Sequence, residues 1–305
     1  MALYLGFDAG GTKTECALAE DDRILARAIG GGIKPTRVSI EEAQRNIANL
    51  LLEIAARSGK SLKQIAVSCI GTSGVRMPQT DGWMRQILSA CASGEIVVCG
   101  DEEIALDAAF PGEAGVLVMA GTGSNILGRT SKGERLNVGG WGPVMGDEGS
   151  GYWIGHQALR ASCYAHDFQH PVMLLDRVMQ YWNASELGEI VSIATATPPP
   201  DFSKLAKLVV ECAEAGDAVC LGVLEEGGKL LGECAVEAFR RVRALEPASP
   251  LPGIAFTGSI LKNVQMVRQA MIGTIRQALP TVHLEPEAVD PILGALWRAR
   301  QAVKT

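Results

Sequence analysis

Hydrophobic and polar residues alternate along this chain in short blocks that predict a mixed α/β protein. Apolar runs of strand length occur at 3–7, 16–19, 66–70, 95–99, 115–120, 126–129 and 253–256. Apolar residues spaced for one face of a helix occur at 40–58, 83–91, 102–109, 150–162, 172–182, 203–215, 217–245 and 290–297. Because strands and helices alternate, we expect sheets covered by helices.

A strand, a small-residue turn and a second strand follow one another twice. The first turn is Asp8-Ala9-Gly10-Gly11-Thr12-Lys13-Thr14, and the second is Gly121-Thr122-Gly123-Ser124-Asn125. A third glycine turn, Thr257-Gly258-Ser259-Ile260, follows the strand at 253–256 and precedes a helix. The repetition predicts an internal duplication at the level of architecture.

Both turns carry the groups that bind phosphate. Glycines let backbone N–H groups converge on an anion, and Thr12, Lys13 and Asp8 add a hydroxyl, a cation and an acid. Two plain structural hairpins are the alternative, but the repetition favours a nucleoside triphosphate. The chain contains no P-loop of the form G-x-x-x-x-G-K-[ST]. The turn at Gly10-Gly11-Thr12 does not match the G-x-G-x-x-G fingerprint of dinucleotide-binding proteins either.

The composition narrows the function classes further. The 305 residues are 47% hydrophobic and carry a formal charge of −6, which argues against nucleic acid as a partner. The sequence shows no apolar run of membrane-spanning length and no signal peptide, so we expect a cytoplasmic protein. The eight cysteines form no C-x-x-C pair, which favours reduced thiols, and the histidines show no metal-binding spacing.

Asp101 stands where a strand ends and a helix begins, the usual place for functional groups in α/β sheets. It can accept the proton of an attacking hydroxyl, or it can simply cap a helix that begins at Glu102. The following acids, Glu102 and Glu103, are interpreted as first-turn residues favoured by the helix dipole.

The segment 139–153 is rich in glycine around Trp141 and Asp147. It is too irregular for a core helix and too apolar for a free linker, so we expect a loop that wraps a small polar ligand. Asp147 can instead cap the helix that begins near Ser150.

Together these motifs resemble the N-acetylglucosamine kinases and the wider benzoyl-CoA-reductase-activator type (BadF/BadG/BcrA/BcrD) ATPase family, within the sugar kinase/Hsp70/actin superfamily. The resemblance spans essentially the whole chain. It implies an α/β fold of duplicated ribonuclease H-like (actin-like ATPase) lobes with a central ATP/sugar cleft. The implied boundaries are an N-terminal lobe at 1–114, a C-terminal lobe at 115–289 and a C-terminal helix at 290–305, packing back on the first lobe.

The resemblance also implies roles for single residues. Asp101 aligns with the catalytic aspartate that deprotonates the sugar 6-hydroxyl, and Asp8 with a residue that helps to hold Mg²⁺. The ATP-binding residues are Gly10, Gly11, Thr12, Lys13, Gly121, Thr122, Gly258 and Ser259. The sugar-binding residues are Lys34, Thr72, Asp101, Gly123, Ser124, Asn125, Gly140, Trp141, Asp147 and Gly151.

One position departs from the family pattern. Amino-sugar kinases of this family usually have an Asn in the loop after the third strand, and Lys34 stands at the matching position. Lys34 either points to solvent or pairs with an acidic substituent, such as the lactyl carboxylate of N-acetylmuramic acid.

The expected activity is ATP-dependent phosphorylation of the 6-hydroxyl of an amino sugar. N-acetylglucosamine is the first candidate, and glucosamine or N-acetylmuramate are alternatives. A redox-activator ATPase ranks lower, because no cysteine lies near the second phosphate turn. A sugar-sensing regulator ranks lower too, since such proteins normally add a DNA-binding segment. The partners implied by the resemblance are the sugar, ATP and a second copy in a homodimer, with no nucleic acid and no membrane.

Overall fold

The computed structural model describes residues 2–10, 12–74 and 77–303. These residues form two compact units. Unit 1 is built from Met1–Glu113 together with Val289–Thr305, and unit 2 from Ala114–Ala288.

Unit 1 combines a five-stranded sheet with four helices in its described part. Its strands are β1 (Leu3–Ala9), β2 (Lys13–Glu20), β3 (Arg23–Gly31), β4 (Ile65–Thr72) and β5 (Glu95–Cys99). Its helices are α1 (Ile40–Ser58), α2 (Pro78–Ser89), α3 (Asp101–Ala109) and α11 (Pro291–Ala302), with a short 3-10 helix at Leu62–Gln64. The strand order is β3-β2-β1-β4-β5, in which the first three strands are antiparallel and β1, β4 and β5 are parallel.

Unit 2 combines a four-stranded sheet with helices α4 to α10. Its strands are β6 (Gly115–Ala120), β7 (Ser124–Arg129), β8 (Arg135–Val138) and β9 (Gly253–Thr257). Its helices are α4 (Gly151–Asp167), α5 (Leu174–Trp182), α6 (Leu187–Ala194), α7 (Ala206–Glu214), α8 (Ala218–Leu245), α9 (Ser259–Asn263) and α10 (Gln265–Ala278). A 3-10 turn at Phe202–Leu205 precedes α7.

The two sheets repeat one topology. The order β8-β7-β6-β9 in unit 2 has the same antiparallel and parallel pairings as β3-β2-β1-β4 in unit 1. A parallel bridge between Ile254 and Leu284 adds the beginning of a fifth strand next to β9. The expectation of duplicated ribonuclease H-like α/β lobes is therefore confirmed.

Buried side chains explain why these elements hold together. In unit 1, one cluster lies between the sheet and α1 and α2, and a second joins β1, β2, β4 and β5 to α11 through Ile292, Ala295, Leu296 and Ala299. In unit 2, α8 packs on the sheet and α10 packs on α8, and a third cluster includes Leu224, Phe239, Phe256 and Met271. Within the described ranges, no helix is long and apolar enough to cross a membrane.

The sequence pattern missed strands β3 and β8, helix α6 and the short 3-10 helix at Leu62–Gln64, and it predicted one helix after the third glycine turn where the structure has α9 and α10. Strands β3 and β8 are the outer strands of their sheets, where alternating exposure and charged residues such as Arg27 and Arg135 weaken the apolar signal. Helix α6 is short and buries only Ile190 completely. The predicted helix at 83–91 begins earlier, at Pro78, where proline is tolerated in the first helical turn.

Candidate active site

The first glycine turn joins β1 to β2 as a tight hairpin. Ala9 pairs with Thr14 at its base, and Thr12 and Lys13 are exposed at its tip. A Cβ at Gly10 would lie 3.2 Å from the carbonyl oxygen of Lys13, so the turn closes tightly there. Gly11 lies outside the described residues. The polar tip is free to meet a ligand.

Asp8 occupies the end of β1, beside this hairpin. Burial and the neighbouring Glu15 raise the pKa of Asp8 to about 6, while Lys13 and Lys34 act in the opposite direction. Its carboxylate makes no hydrogen bond or ion pair with any other described residue. A desolvated carboxylate of this kind suits a hard divalent cation such as Mg²⁺. Groups of three or more His, Cys, Asp or Glu side chains able to hold a metal ion do not occur in the described part of the chain.

Asp101 is the first residue of α3, and one residue, Gly100, separates it from the end of β5. Gly100 is the N-cap residue, so Asp101 itself is not the helix cap. Its Oδ1 accepts a hydrogen bond from the backbone N–H of Glu102 at 3.1 Å, and the residue is only partly buried. The carboxylate is thus oriented by its own backbone and still accessible.

Lys34 lies in the loop after β3, and two helices hold that loop in place. Asn46 of α1 donates a hydrogen bond to the carbonyl of Gly32 at 2.8 Å. Trp83 of α2 donates one to the carbonyl of Ile33 at 2.8 Å. The backbone immediately before Lys34 is therefore fixed.

The ammonium group of Lys34 is turned inward rather than to open solvent. It donates a hydrogen bond to the hydroxyl of Ser73. Burial lowers the pKa of Lys34, and the carboxylates of Asp101 and Asp8 oppose that decrease. Lys34 is thus partly buried, and its ammonium group binds an exposed serine.

Thr72 connects the end of β4 to the first hairpin. Its hydroxyl is buried and lies 3.4 Å from the carbonyl oxygen of Ala9, to which it donates. The side chain is therefore committed to the sheet, and only its neighbour Ser73 is exposed.

The second glycine turn joins β6 to β7, with Ala120 paired to Ser124. The first backbone N–H groups of α4 bind it: Gly151 donates to the carbonyl of Gly121 at 2.8 Å, and Tyr152 to that of Thr122 at 3.1 Å. Thr122 remains exposed. The predicted residues Gly121, Thr122 and Gly151 thus belong to one structure.

The third turn meets the second one. Gly258 has φ 99°, a conformation open essentially only to glycine, and a Cβ there would overlap the backbone of Ala120. A Cβ at Gly121 would lie 3.7 Å from the hydroxyl of Ser259. Gly121, Gly258 and Ser259 therefore lie side by side.

Asp147 organises the glycine-rich loop from within. Its Oδ1 accepts the backbone N–H of Gly142 at 3.0 Å, and a Cβ at Gly123 would lie 2.6 Å from its Oδ2. Burial raises the pKa of Asp147, and the Gly142 hydrogen bond acts in the opposite direction. The cap of α4 is Ser150, which accepts from the N–H of Trp153 at 3.2 Å, so Asp147 does not perform that role.

Polar groups from β7 complete this part of unit 2. The hydroxyl of Ser124 donates to the carbonyl of Glu148 at 2.8 Å, and Asn137 donates to Oδ1 of Asn125 at 2.9 Å. A Cβ at Gly140 would lie 2.7 Å from that same Oδ1. Trp141 is 71% exposed at the tip of the loop. All seven predicted sugar-binding residues of unit 2 lie in this one region.

The sequence reasoning missed the contacts behind Asp101. Glu103, interpreted as a first-turn acid, is buried and pairs with Arg298 of α11 at 3.0 Å. Glu103 stands three residues after the N-cap Gly100 and accepts its backbone N–H, as the acid of a capping box does. Gly100 lacks the hydroxyl that completes this pattern, so the sequence carries only half of the signal. No local pattern identifies Arg298.

The profile of the BadF/BadG/BcrA/BcrD ATPase family matches residues 5–299. The N-acetylmuramic acid/N-acetylglucosamine kinase of Clostridium acetobutylicum is 25% identical, over 98% of this chain and 99% of its own. The glucosamine kinase GspK of Vibrio cholerae is 25% identical, over 74% of this chain and 76% of its own. A solved structure from Chromobacterium violaceum, described as a proposed N-acetylglucosamine kinase, is 26% identical with a TM-score of 0.72, covering 97% of this chain and 98% of its own.

Proposed function

We propose, since the chain belongs to the BadF/BadG/BcrA/BcrD ATPase family, that it is an ATP-dependent kinase of the 6-hydroxyl of an amino sugar, with N-acetylglucosamine as the first candidate. The observation that carries the proposal is the position of Asp101, a partly buried carboxylate at a strand end beside the inward-facing Lys34. The kinase relatives support it, because they match this chain over most of its length.

Unit 1 supplies the acceptor chemistry in this proposal. Asp101 takes the proton of the sugar hydroxyl as that oxygen forms a bond to the γ-phosphorus of ATP, and the bond from phosphorus to the β–γ bridging oxygen breaks, releasing ADP. Asp8 would hold Mg²⁺. When bound, this ion supplies positive charge that neutralises the phosphate oxygens.

The glycine turns bind the nucleotide. In unit 1, the backbone N–H of Gly10 and the side chains of Thr12 and Lys13 would bind phosphate. In unit 2, Gly121, Thr122, Gly258 and Ser259 would bind phosphate, and the short distance between Gly121 and Ser259 supports this role. Backbone donors of this kind stabilise phosphate charge without any covalent role for the protein.

The loop of unit 2 binds the sugar. Ser124, Asn125 and Asp147 offer hydroxyl, amide and carboxylate groups of the types that sugar hydroxyls prefer. The absence of a Cβ at Gly123, Gly140 and Gly151 leaves room for Asp147, Asn125 and the carbonyl of Gly121, respectively. Trp141 offers an exposed aromatic face. Asp147 is already desolvated by burial in the folded protein. A sugar hydroxyl that binds to it therefore gains a hydrogen bond with little further desolvation of the carboxylate.

The test is a coupled ADP-release assay over a panel of amino sugars, run on wild type and on Asp101→Asn. We expect Asp101→Asn to lower kcat at least about 1,000-fold while sugar affinity, measured by calorimetry, stays close to wild type. Asp176→Asn is the matched control, since Asp176 is an exposed acid in the first turn of α5. Retained turnover in Asp101→Asn would refute the base assignment.

N-acetylmuramate is a second candidate substrate, and Lys34 is the observation that favours it. A half-buried ammonium that donates one hydrogen bond to the Ser73 hydroxyl can still donate others to a carboxylate. We expect Lys34→Asn to lower kcat/KM for N-acetylmuramate about 10- to 100-fold relative to N-acetylglucosamine. An unchanged ratio of the two values would remove this candidate.

The use of Mg²⁺ and a homodimer also belong to this proposal and rest on the family resemblance. A cytoplasmic location is part of the proposal as well. Chelation with EDTA should abolish turnover, and readdition of Mg²⁺ should restore it. Sedimentation equilibrium tests the dimer.

A further inference from the structure

The turn that presents Asp101 is held by a buried side chain of its own helix. The backbone N–H of Gly100 donates a hydrogen bond to Oε1 of Glu103 at 3.3 Å. Gly100 immediately precedes Asp101, so the position of the proposed base depends on where Glu103 stands. Glu103 itself is 7% exposed.

Arg298 of α11 in turn holds Glu103. Its Nη1 lies 3.0 Å from Oε2 of Glu103, and its Nε donates to Oδ2 of Asp107, one turn further along α3. One guanidinium therefore bridges two buried carboxylates of the helix that begins with Asp101. Although burial acts against its charge, Cys99, Asp107 and Glu103 raise the pKa of Arg298, so it stays charged.

The backbones of the two helices also touch. A Cβ at Gly294 would overlap the carbonyl of Ile104, and it would lie 2.7 Å from the backbone nitrogen of Ala108. This close approach leaves α3 little freedom to slide along α11. Fixed backbone contact and a fork-shaped ion pair together define one position for α3.

We propose that Arg298 and Glu103 are positioning residues that fix the turn bearing Asp101, so that the C-terminal helix α11 sets the rate of phosphoryl transfer without touching the substrate. The connection runs from Arg298 to Glu103, then to the N–H of Gly100 and so to Asp101. It rests on the proposed role of Asp101 as the base. Geometry at the reacting atoms is sensitive, since a displacement of about 1 Å can cost about 100-fold in rate.

The experiment compares three substitutions in the full-length chain. Glu103→Ala removes the acceptor of the Gly100 N–H, whereas Glu103→Gln keeps an oxygen that can accept it. Arg298→Lys keeps the positive charge but loses the guanidinium group that pairs with two carboxylates at once. Arg298→Ala is avoided, because it would leave two carboxylates buried without their cation. Arg241→Ala is the matched control, since it removes an exposed arginine paired with Glu237 on α8.

The readout is the single-turnover rate of phosphoryl transfer by rapid quench, with sugar and nucleotide affinities measured separately by calorimetry. We expect Glu103→Ala to slow transfer about 10- to 100-fold with both affinities within about threefold of wild type. Glu103→Gln should keep most of the wild-type transfer rate. The transfer rate of Arg298→Lys should lie between those of Glu103→Gln and Glu103→Ala.

Three results would overturn the inference: a wild-type transfer rate in Glu103→Ala, a loss of rate matched by an equal loss of affinity, or Gln and Ala variants that behave alike. The Asp101→Asn assay separates the two proposals. If Asp101→Asn is inactive and Glu103→Ala is normal, only the positioning role fails. If Asp101→Asn is active, the base assignment fails instead.

Discussion

Single residues carry strain and buried charge at the proposed ligand sites. Asp147 has φ 57°, in the left-handed region that non-glycine residues seldom occupy, and its carboxylate is nearly buried. Both features make the folded state less stable than a relaxed loop with a neutral side chain would. Such local cost is typical of groups that are kept for binding rather than for folding.

We predict that Asp147→Asn stabilises the fold and weakens sugar binding. Burial raises the pKa of Asp147 in the folded state, so its ionisation lowers the free energy of unfolding as pH rises from the ordinary pKa of an aspartate through the raised one. Asn tolerates the left-handed conformation and carries no charge. The Tm advantage of the variant should therefore be larger at neutral pH than at about pH 4.

Thermal unfolding across that pH range, with calorimetry of sugar binding, measures both effects. The affinity for sugar should fall about 10-fold or more, since a charged hydrogen-bond acceptor is lost. A variant that is less stable at neutral pH would contradict the prediction.

At Gly258 a substitution should destabilise the fold, because the backbone conformation at this position requires glycine. Gly258→Ala should lower the free energy of unfolding by at least about 2 kcal/mol, since the new Cβ meets the backbone of Ala120 and the φ of 99° is unsuited to alanine. Denaturant titration measures this loss. Gly273→Ala in α10 is the control, as a Cβ there meets nothing within 4 Å and alanine favours the helix by up to about 1 kcal/mol.

At the scale of elements, most helices and strands could be predicted from the local pattern of hydrophobic and polar residues. Helix α1 extends from Ile40 to Ser58, as its apolar spacing predicts, because Ser39 caps its beginning and Gly59 its end. Both glycine hairpins and the strand at Glu95–Cys99 also lie where the sequence predicts them.

What the sequence could not provide is contact between distant segments. Arg298 and Asp107 are 191 positions apart, and no periodicity links an arginine in one helix to an acid in another. The inward orientation of Lys34 likewise depends on Asn46 and Trp83, which fix its loop from two different helices. Edge strands were missed for a related reason, since pairing on one side stabilises them more than their own apolar residues do.

The loop at 139–150 exposes apolar side chains that the fold does not use. Trp141, Val144 and Met145 are 71%, 91% and 75% exposed. We predict that Trp141→Ala leaves the Tm unchanged and raises the KM for sugar about 3- to 10-fold, because an aromatic contact with the ligand is lost. Steady-state kinetics and thermal unfolding check the two halves of the prediction.

The control for that variant is Tyr164→Ala, which removes another exposed aromatic residue of unit 2, 66% exposed on α4. It should change neither quantity. If Trp141→Ala instead lowers the Tm and leaves KM unchanged, the side chain serves the fold of the loop.

At the scale of the whole molecule, each buried cluster draws its residues from one unit. We predict that Leu296→Ala, which empties a fully buried position in unit 1, costs about 2–5 kcal/mol and raises amide exchange mainly in peptides of unit 1. Leu224→Ala is the matched change in the core of unit 2 and should give the reverse pattern. Hydrogen exchange with mass spectrometry distinguishes them, and uniform exchange in both variants would contradict separate cores.

The position of α11 has a consequence for biosynthesis. Unit 1 begins to emerge from the ribosome first, yet Ile292, Leu296 and Arg298 emerge only after the whole of Ala114–Ala288 has been translated. At about 5–20 residues per second, those roughly 175 residues delay completion of unit 1 by roughly 10 to 35 s. During that interval α3 has no contact with Arg298, because α11 has not yet been made. In a chain released at that stage, the turn that bears Asp101 would not be fixed by α11. Unit 2 is thus free to finish folding first, and the half that bears the proposed base is completed last.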